Sequence, residues 1–267
     1  MTERTARSSA ASSPAAWFQG AGRVWQRNYE SWKDFALASL VGTVAEPIGF
    51  FLAMGFGLGR FVDPIEGQPY IAFLAPGLVA ATAMNSAAFE TTFGSFTRLT
   101  EQRTYEAIVK TPISVGEIVA GDIFWAASKS VLGAGVILAI MGVLGLIGTP
   151  WALVMLPLAF GIGMLFGAMG MVWTALSPSY TFFNYFFTLV IGAQFLFGGV
   201  FFPLTGLPAW AVWTAWCLPL THAVVLMRAL AEGQIDPVLW IHVALLAVFT
   251  VAVFLLAGRL IRRRLIR

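Results

Sequence analysis

Very few side chains in this sequence could form a catalytic or metal centre. The single cysteine, Cys217, excludes an internal disulfide and a cysteine metal site. The two histidines, His222 and His242, lie twenty residues apart, which argues against a histidine metal cluster. No Gly-x-x-x-x-Gly-Lys-Ser/Thr motif occurs, and no lysine follows a glycine, so the sequence contains no phosphate-binding loop. We therefore expect no cofactor here, and ATP, if it drives the protein, must be bound by another chain.

Ionisable residues instead concentrate in one polar segment, residues 98–117. Its six ionisable residues are Arg98, Glu101, Arg103, Glu106, Lys110 and Glu117. Almost uncharged stretches flank it, residues 70–96 before and 118–147 after. Because such a charged segment cannot lie in hydrocarbon, its position between two membrane-length apolar segments predicts a loop in water.

The middle of this loop predicts a short amphipathic helix. Thr104 can cap its start, and Pro112 follows its end. Its apolar face consists of residues at helical spacings of three and four: Tyr105, Ile108 and Val109. Glu106 stands four residues before Lys110, the favourable order for a helical ion pair. Such a helix is typical of a surface that docks on another protein, and a solvated connector is the alternative.

Composition assigns the chain to the polytopic membrane proteins. Of its 267 residues, 58% are hydrophobic and only 11% are charged, and the mean hydropathy is +0.81. No soluble domain needs that much apolar surface. The net charge of +3 says little about partners, and we expect no nucleic acid among them. Residues 1–14 predict a disordered polar tail without the apolar core of a signal peptide.

Six apolar segments predict an all-α fold with six transmembrane helices. They cover about residues 36–59, 70–93, 118–147, 151–176, 180–200 and 238–257. Ser114 and Glu117 have the spacing of a capping box at the start of the third segment. Within the fourth, Gly163 and Gly167 permit close helix packing, which in a polytopic chain is more often internal than a dimer seam.

Residues 207–233 interrupt this pattern between the fifth and sixth segments. Two very hydrophobic pieces of about ten to twelve residues flank Pro219, and each is too short to cross the bilayer. They predict a re-entrant helical hairpin, and the alternative is one irregular span. Thirteen basic residues lie in the N-terminal region, the charged loop and the C-terminus, and the re-entrant topology places all thirteen on one side. The positive-inside rule then predicts cytoplasmic termini and an external hairpin in the cytoplasmic membrane.

Residues 15–35 predict an amphipathic interface helix. Its aromatic residues recur mainly at spacings of three and four, and they include Trp17, Trp25, Tyr29 and Trp32. Polar and basic residues occupy the other face. We expect the aromatic face to lie in the headgroups. The alternative, packing on a soluble domain, has no such domain in this chain.

Two of the charged residues within the apolar segments are interpreted from their depth. Glu46, followed by Pro47, lies near the middle of the first, where a carboxylate costs about 2.5–3.5 kcal/mol and should face protein or a water-filled cavity. It is either a polar point in a substrate path or a structural group that holds a kink or a subunit contact. Lys129 is expected to lie at the membrane boundary and snorkel, with no further role.

Several stretches resemble the permease subunits of ABC-2 type exporters, and most closely the NodJ-like nodulation permeases. They include RVWQRNYESWKDFALAS, EPIGFFLAMGFGLG, YIAFLAPGLVAATAMNSAAFETTFGSF, QRTYEAIVKTPISVGEIV, FGGVFFPLTGLPAW and LPLTHAVVLMRAL, followed by an arginine-rich end. The resemblance covers the chain from about Arg23 onward. It implies a homodimeric channel in membrane lipid, with one cytoplasmic ATPase under each half.

The resemblance also implies roles for individual segments. Residues 104–110 correspond to the coupling helix that enters a cleft on the ATPase, residues 15–35 to the interface helix and residues 207–233 to the external hairpin. The translocation route would follow the dimer interface between the first, second and fifth spans. Those spans supply Glu46, Asn85, Phe182, Phe183, Tyr185 and Phe186. The expected substrate is an amphipath such as a lipo-oligosaccharide or lipid-linked saccharide, and the same fold could export a hydrophobic drug or lipid.

Two other classes of membrane protein fit the sequence less well. An integral membrane enzyme needs convergent His, Asp or Lys groups at one membrane face. A secondary transporter usually needs paired buried ionisable groups and internal repeats, whereas Glu46 stands alone and no clear repeat is present. We therefore expect a transport subunit rather than an enzyme.

Overall fold

The computed structural model describes residues 13–65 and 67–266, and in this part of the chain the fold is helical throughout. Of the predicted tail, only Ser13 and Pro14 fall within the described residues. In chain order, the α-helices are α1 (Pro14–Lys33), α2 (Ala36–Leu52), α3 (Tyr70–Phe89), α4 (Ser95–Thr100), α5 (Thr104–Val109), α6 (Val115–Val143), α7 (Met155–Leu176), α8 (Phe183–Tyr185), α9 (Gly192–Phe197), α10 (Ala209–Cys217), α11 (Pro219–Glu232) and α12 (Leu239–Leu265).

Six of the described helical segments are long and apolar enough to cross a membrane, which confirms the prediction of an all-α fold with about six spans. They are Ala36–Arg60, Tyr70–Thr100, Val115–Val143, Pro150–Leu176, Tyr180–Phe197 and Leu239–Leu265. The second is longer than expected, because a π-helical turn, Glu90–Gly94, carries α3 into α4. Arg98 therefore lies on a helix, which corrects its assignment to the loop.

Helix α3 lies at the centre of the molecule, against α2, α6, α7 and α11. Most of its residues are buried. Small side chains make this possible, because they let neighbouring helices approach closely. The alanines buried along it are Ala75, Ala80, Ala81, Ala83, Ala87 and Ala88.

The α6–α7 contact depends on glycine. A Cβ added at Gly163 would lie 2.7 Å from the Cα of Ala127 on α6, and one at Gly167 would lie 3.5 Å from the Cβ of Ala126. The first distance is too short for any side chain without movement of the backbone. The predicted close packing at this glycine pair is therefore confirmed as a contact within one chain.

Helix α1 packs on α6 rather than lying free of the protein. Gly20, Ala21, Val24 and Asn28 are buried, and a Cβ added at Gly121 of α6 would lie 2.5 Å from the Cβ of Val24. Part of the face expected to contact lipid is thus covered by protein. The four predicted interface aromatics differ in exposure: Trp17, Trp25 and Trp32 are half-buried, and Tyr29 is exposed.

Helices α10 and α11 form a bent pair with 86° between them, and they raise the count of spans to seven if the pair crosses the membrane. The segment before α10 and the end of α11 both contact residues at or just before the start of α3. The Tyr70 hydroxyl donates to the carbonyl of Phe201 at 3.0 Å, and the Gln68 amide donates to Glu232 at 3.0 Å. The chain therefore enters and leaves the pair at one end of the molecule.

The two histidines are close together, although the sequence separates them. The Nδ1 atoms of His222 on α11 and His242 on α12 are 2.8 Å apart. His222 Nε2 lies 3.1 Å from the carbonyl of Trp216, which can only accept, so Nε2 carries the proton and Nδ1 accepts from His242. This contact fastens α11 to α12.

Candidate functional site

A buried carboxylate, Asp122 on α6, joins three other helices of the chain. It is fully buried. Its Oδ1 accepts from the Asn28 amide at 2.6 Å, and its Oδ2 accepts from the Ser95 hydroxyl at 3.0 Å. The hydroxyl of Tyr105, on the predicted coupling helix α5, also donates to Oδ2. Residues from α1, α4, α5 and α6 therefore converge on one charge.

Arg98 on α4 extends this cluster towards the membrane interior. Its Nε lies 3.3 Å from Asp122 Oδ2, and its Nη2 donates to Glu90 Oε1 at 2.9 Å. The side chains of Arg98 and Glu90 are only 11% and 10% exposed. Buried charges require partners of this kind, because an isolated charge in a low-dielectric interior is strongly destabilised.

Lys129 on α6 completes an alternating row of four charges. Its Nζ donates to Glu90 Oε2 at 2.9 Å, and its side chain is 12% exposed. The order Asp122, Arg98, Glu90, Lys129 alternates in sign and sums to zero. We call Tyr105 and these four residues the charge network. These paired charges correct the expectation that Glu46 stands alone as an ionisable residue within the spans. The expectation that Lys129 merely snorkels is wrong, because its ammonium group is held by a buried carboxylate.

The π-helical turn Glu90–Gly94 allows this arrangement. A Cβ added at Gly94 would lie 2.8 Å from Glu90 Oε1 and 3.4 Å from Arg98 Nη2, so glycine leaves room for the ion pair. Short π-helical segments of this kind occur frequently at functional sites.

The far end of the charge network reaches a cavity of about 580 Å³, which lies between α2, α3, α6 and the span Tyr180–Phe197. Its lining consists of Ala38, Ser39, Gly42, Thr43, Glu46, Asn85, Ser86, Phe89, Lys129, Phe187, Ile191, Gly192 and Phe195. The polar groups come mainly from α2 and α3, and the opposite side is aromatic and aliphatic. The hydroxyl of Ser86 is buried and has no hydrogen-bond partner among the described residues. Such a cavity provides hydrogen-bonding groups on one side and an apolar surface on the other.

The structure brings two of the six predicted path residues into this cavity. Glu46 and Asn85 line it together. Phe182, Phe183, Tyr185 and Phe186 do not, and Phe183 and Phe186 are fully buried in the protein. Phe187 and Phe195 line the cavity instead of these four aromatic residues. A run of aromatic residues covers every side of a helix, so its sequence does not show which ring faces the cavity.

Helix α5 presents a narrower surface than the sequence predicts. Tyr105 is fully buried, which corrects the expectation that it belongs to an exposed face. Burial, reinforced by the Asp122 carboxylate, raises the pKa of Tyr105 well above its ordinary value, so the hydroxyl stays protonated and continues to donate. The other predicted docking residues remain at least partly accessible: Thr104, Glu106, Ile108, Val109 and Lys110.

The ends of α5 also differ from the expected pattern. Its N-cap residue is Arg103, with φ of 49°, and Thr104 is the first helical residue rather than the cap. No ion pair forms between Glu106 and Lys110 within the described chain, because the helix ends at Val109 before that turn is complete. The predicted capping box of α6 is confirmed, with Ser114 and Glu117 each accepting from the other's backbone N–H.

Glu90, Asp122 and Asn28 belong to this site but were not predicted from the sequence. A signal was nevertheless present in the spacing. Asp122 and Lys129 lie seven residues apart on α6, and Glu90 and Arg98 lie eight apart on the preceding span. Both spacings are about two helical turns and place each pair on one face. Charges repeated on one face of a membrane helix indicate a buried polar seam.

Comparison with known proteins identifies relatives of this chain. A family model described as "ABC-2 type transporter" matches residues 21–231. Nodulation protein J of Rhizobium leguminosarum bv. trifolii is 42% identical over 251 residues, covering 91% of this chain and 93% of the relative. Nodulation protein J of Rhizobium leguminosarum bv. viciae is 40% identical over 249 residues, covering 91% and 94%. The inner membrane transport permease YadH of Escherichia coli K12 is 24% identical over 245 residues, covering 90% and 93%.

Proposed function

Because this chain belongs to the ABC-2 type transporter family, we propose that it is the membrane subunit of an ATP-driven exporter. In this proposal, it moves an amphipathic saccharide, such as a lipo-oligosaccharide or lipid-linked saccharide, outward across the cytoplasmic membrane. The observation that carries the proposal is the charge network, which connects α5 to the cavity.

The network gives a physical route from an ATPase to the substrate. A separate ATPase chain would bind the accessible side of α5, at Glu106, Ile108 and neighbouring residues. Movement of α5 must then carry Tyr105 along or break its hydrogen bond to Asp122. Leaving a buried carboxylate short of a donor is unfavourable, so the intact network favours movement of α5 and α6 together. Because Lys129 is the last member and lines the cavity, the same movement reshapes the cavity wall.

The cavity fits one part of an amphipath better than a wholly apolar molecule. Its volume lies within the range of about 300–1,000 Å³ typical of small-molecule sites. Glu46, Asn85 and Ser86 can hydrogen-bond hydroxyl or amide groups, while Phe89 and Phe187 offer ring faces. A sugar unit presents both kinds of surface, with hydroxyls at its rim and C–H groups on its faces. An attached acyl chain would remain against the apolar side.

Glu46 also supports the proposal that two copies form the channel. Its side chain is exposed in the single chain, on a helix whose outward residues Leu37 and Val41 are apolar. A carboxylate facing lipid at this depth costs about 2.5–3.5 kcal/mol. A second copy packed along α2 would cover Glu46 and close the open side of the cavity, which avoids that cost.

The contacts at the two ends of the molecule support the predicted topology. Gln68 contacts the end of α11, and Tyr70 contacts the segment that precedes α10, as a re-entrant external hairpin requires. The C-terminal end of α12 lies at the other end, where Arg264 donates to the carbonyl of Thr174 at 2.6 Å. The arginine-rich end of α12 and the charged loop would then face the cytoplasm, in agreement with the positive-inside rule. In this arrangement α1 lies at the cytoplasmic interface, with Tyr29 directed to the headgroups.

Purification of the tagged chain from its native membrane tests the proposal. We expect an ATPase with a phosphate-binding loop to co-purify. The variant Glu106→Lys should release it, because the substitution reverses the charge at an exposed position of the docking surface. Glu101→Lys is the matched control, since Glu101 is also exposed and lies just outside α5. Absence of an ATPase from wild-type preparations, or equal loss with both variants, would contradict the docking role of α5.

A further inference from the structure

The last two turns of α12 carry three arginines with no acidic partner among the residues that the structure describes. Arg259, Arg262 and Arg263 are exposed, and their spacing of three and four residues places them on one side of the helix. They and Ile266 line a surface hollow of about 520 Å³. No ion pair within the described chain involves any of the three. Three positive charges in this small area attract a negatively charged ligand.

A second hollow of about 460 Å³ lies next to the first, and Arg263 lines both. The second hollow is a groove between the end of α7 and α12. Its lining is largely apolar and includes Ala175, Leu176, Pro178 and Leu260. The combined surface therefore changes from cationic to apolar within a short distance.

Arg264 holds this groove in place and is distinct from the three exposed arginines. Its Nη1 donates to the carbonyls of Thr174, Ala175 and Ser177 at 2.6, 3.2 and 2.7 Å. These carbonyls belong to the last turn of α7 or follow it, where the helix leaves acceptors unpaired. Arg264 thus fastens α12 to α7, and both walls of the groove have a fixed relative position.

The position along α12 identifies the kind of ligand. The three arginines directly follow the apolar part of the helix, where Leu255 and Leu256 are exposed. They therefore lie at the boundary between hydrocarbon and water. A phosphate free in water would have no use for the apolar groove, whereas a phospholipid carries a phosphate and acyl chains in one molecule. Arginine also recognises phosphate strongly through paired N–H donors.

We propose that the surface formed by Arg259, Arg262, Arg263 and the α7–α12 groove binds an anionic phospholipid of the adjacent leaflet. The phosphate contacts the arginines, and one acyl chain follows the groove beside Leu176 and Leu260. This lipid site is separate from the substrate cavity, and it does not depend on which substrate is exported.

Native mass spectrometry of the purified full chain tests this proposal. The probes are phosphatidylglycerol and phosphatidylcholine with identical acyl chains, titrated separately. Wild type should retain phosphatidylglycerol in preference to phosphatidylcholine. Arg263→Gln should weaken retention about fivefold, the factor that corresponds to the roughly 1 kcal/mol contributed by one arginine at an anionic surface. The triple variant Arg259→Gln, Arg262→Gln, Arg263→Gln should weaken it roughly a hundredfold on the same basis.

A matched triple variant removes the same charge elsewhere. Arg23→Gln, Arg60→Gln, Arg103→Gln changes three other exposed arginines and should leave lipid preference unchanged. Unaltered retention in Arg263→Gln overturns the proposal, as does equal loss in the matched triple. If the α12 triple does not insert, Arg263→Gln alone decides. Displacement of the lipid by an equal concentration of glycerol phosphate would show a phosphate site rather than a lipid site, and would also overturn it.

Discussion

A single buried carboxylate explains how distant parts of this chain are held in register. Asp122 accepts from Asn28, Ser95 and Tyr105 and lies beside Arg98, so α1, α4, α5 and α6 all depend on it. None of these contacts is local, since the partners lie 17 to 94 residues away. Sequence periodicity shows which face of one helix is polar, but not which polar face of another helix meets it. The charge network was therefore not predicted, although the spacing of its residues along each helix is visible in the sequence.

We expect Asp122→Ala to destabilise the protein strongly. The substitution removes the carboxylate that pairs with Arg98 and leaves buried donors of Tyr105 and Asn28 without an acceptor. Breaking a buried ion pair by removing one partner typically costs about 3–5 kcal/mol. Equilibrium unfolding of the purified chain in detergent measures this change. Glu101→Ala, at an exposed position, is the control and should change the free energy of unfolding by less than about 0.5 kcal/mol. A similar small change in Asp122→Ala would contradict the account.

Lys129→Met should reduce ATP-driven export at least tenfold, because the network loses its last charge at the cavity wall and Glu90 loses one of its two partners. Lys129→Arg keeps the charge and should keep much of the activity. The measurement is transport into inside-out vesicles with the co-purified ATPase present. Lys33→Met, which removes an exposed lysine on α1, is the control. Full export by Lys129→Met would exclude a role for Lys129 in coupling.

At the scale of the helices, the sequence predicts well whatever depends on local chemistry. Apolar length predicts the spans, and the pair Ser114 and Glu117 correctly marks the start of α6. Errors arise where tertiary contacts decide. The spacing of Tyr105 predicts an outward docking face. In the structure its hydroxyl donates to Asp122 instead, and the side chain is buried. The π-helical turns at Glu90 and Phe186 likewise alter which residues face the cavity, and a pattern based on 3.6 residues per turn cannot anticipate them.

Gly163→Val should separate α6 from α7. The new Cβ would lie 2.7 Å from the Cα of Ala127 and 2.7 Å from the Ser130 hydroxyl, so the backbone must move. Overpacking of this kind costs about 1–3 kcal/mol. Thermal unfolding in detergent tests it, with Gly161→Val on the same helix as a closely matched control, because a Cβ at Gly161 meets nothing within 4 Å. Equal melting temperatures for the two variants would show that the close contact does not contribute to stability.

At the scale of the whole molecule, the chain has two chemically different ends. One end carries the charged loop, α1 and the arginines of α12. The other carries Gln68, Tyr70 and the α10–α11 pair, whose Trp210 and Trp213 are exposed. The charge network starts at the first end and stops at the cavity. The family and the helical framework could be predicted from the sequence, because several segments match the family in both residue content and order along the chain. The residues that line the cavity could not be predicted, because they come from helices that meet only in the folded chain.

Cysteine labelling from each side of the membrane tests the orientation of these ends. In a Cys217→Ser background, Pro69→Cys and Gln234→Cys should react only with reagent outside the cell, and Arg267→Cys only with reagent in the cytoplasm. The reason is that six spans with a re-entrant hairpin place positions 69 and 234 on the same side. Reaction of Gln234→Cys from the cytoplasm would show that the α10–α11 pair crosses the membrane.

We propose that an ATPase acting through α5 moves an amphipathic saccharide through this chain. ATP hydrolysis by the complex in nanodiscs tests it most directly, with an acylated oligosaccharide and its deacylated form compared at equal concentration. We predict that the acylated molecule stimulates hydrolysis and the bare sugar does not, because only the former can enter from the leaflet and fill both sides of the cavity. We also predict that Glu46→Gln, which replaces a cavity carboxylate, weakens this stimulation. Equal stimulation by the two molecules, or none by the acylated one, would contradict the claim.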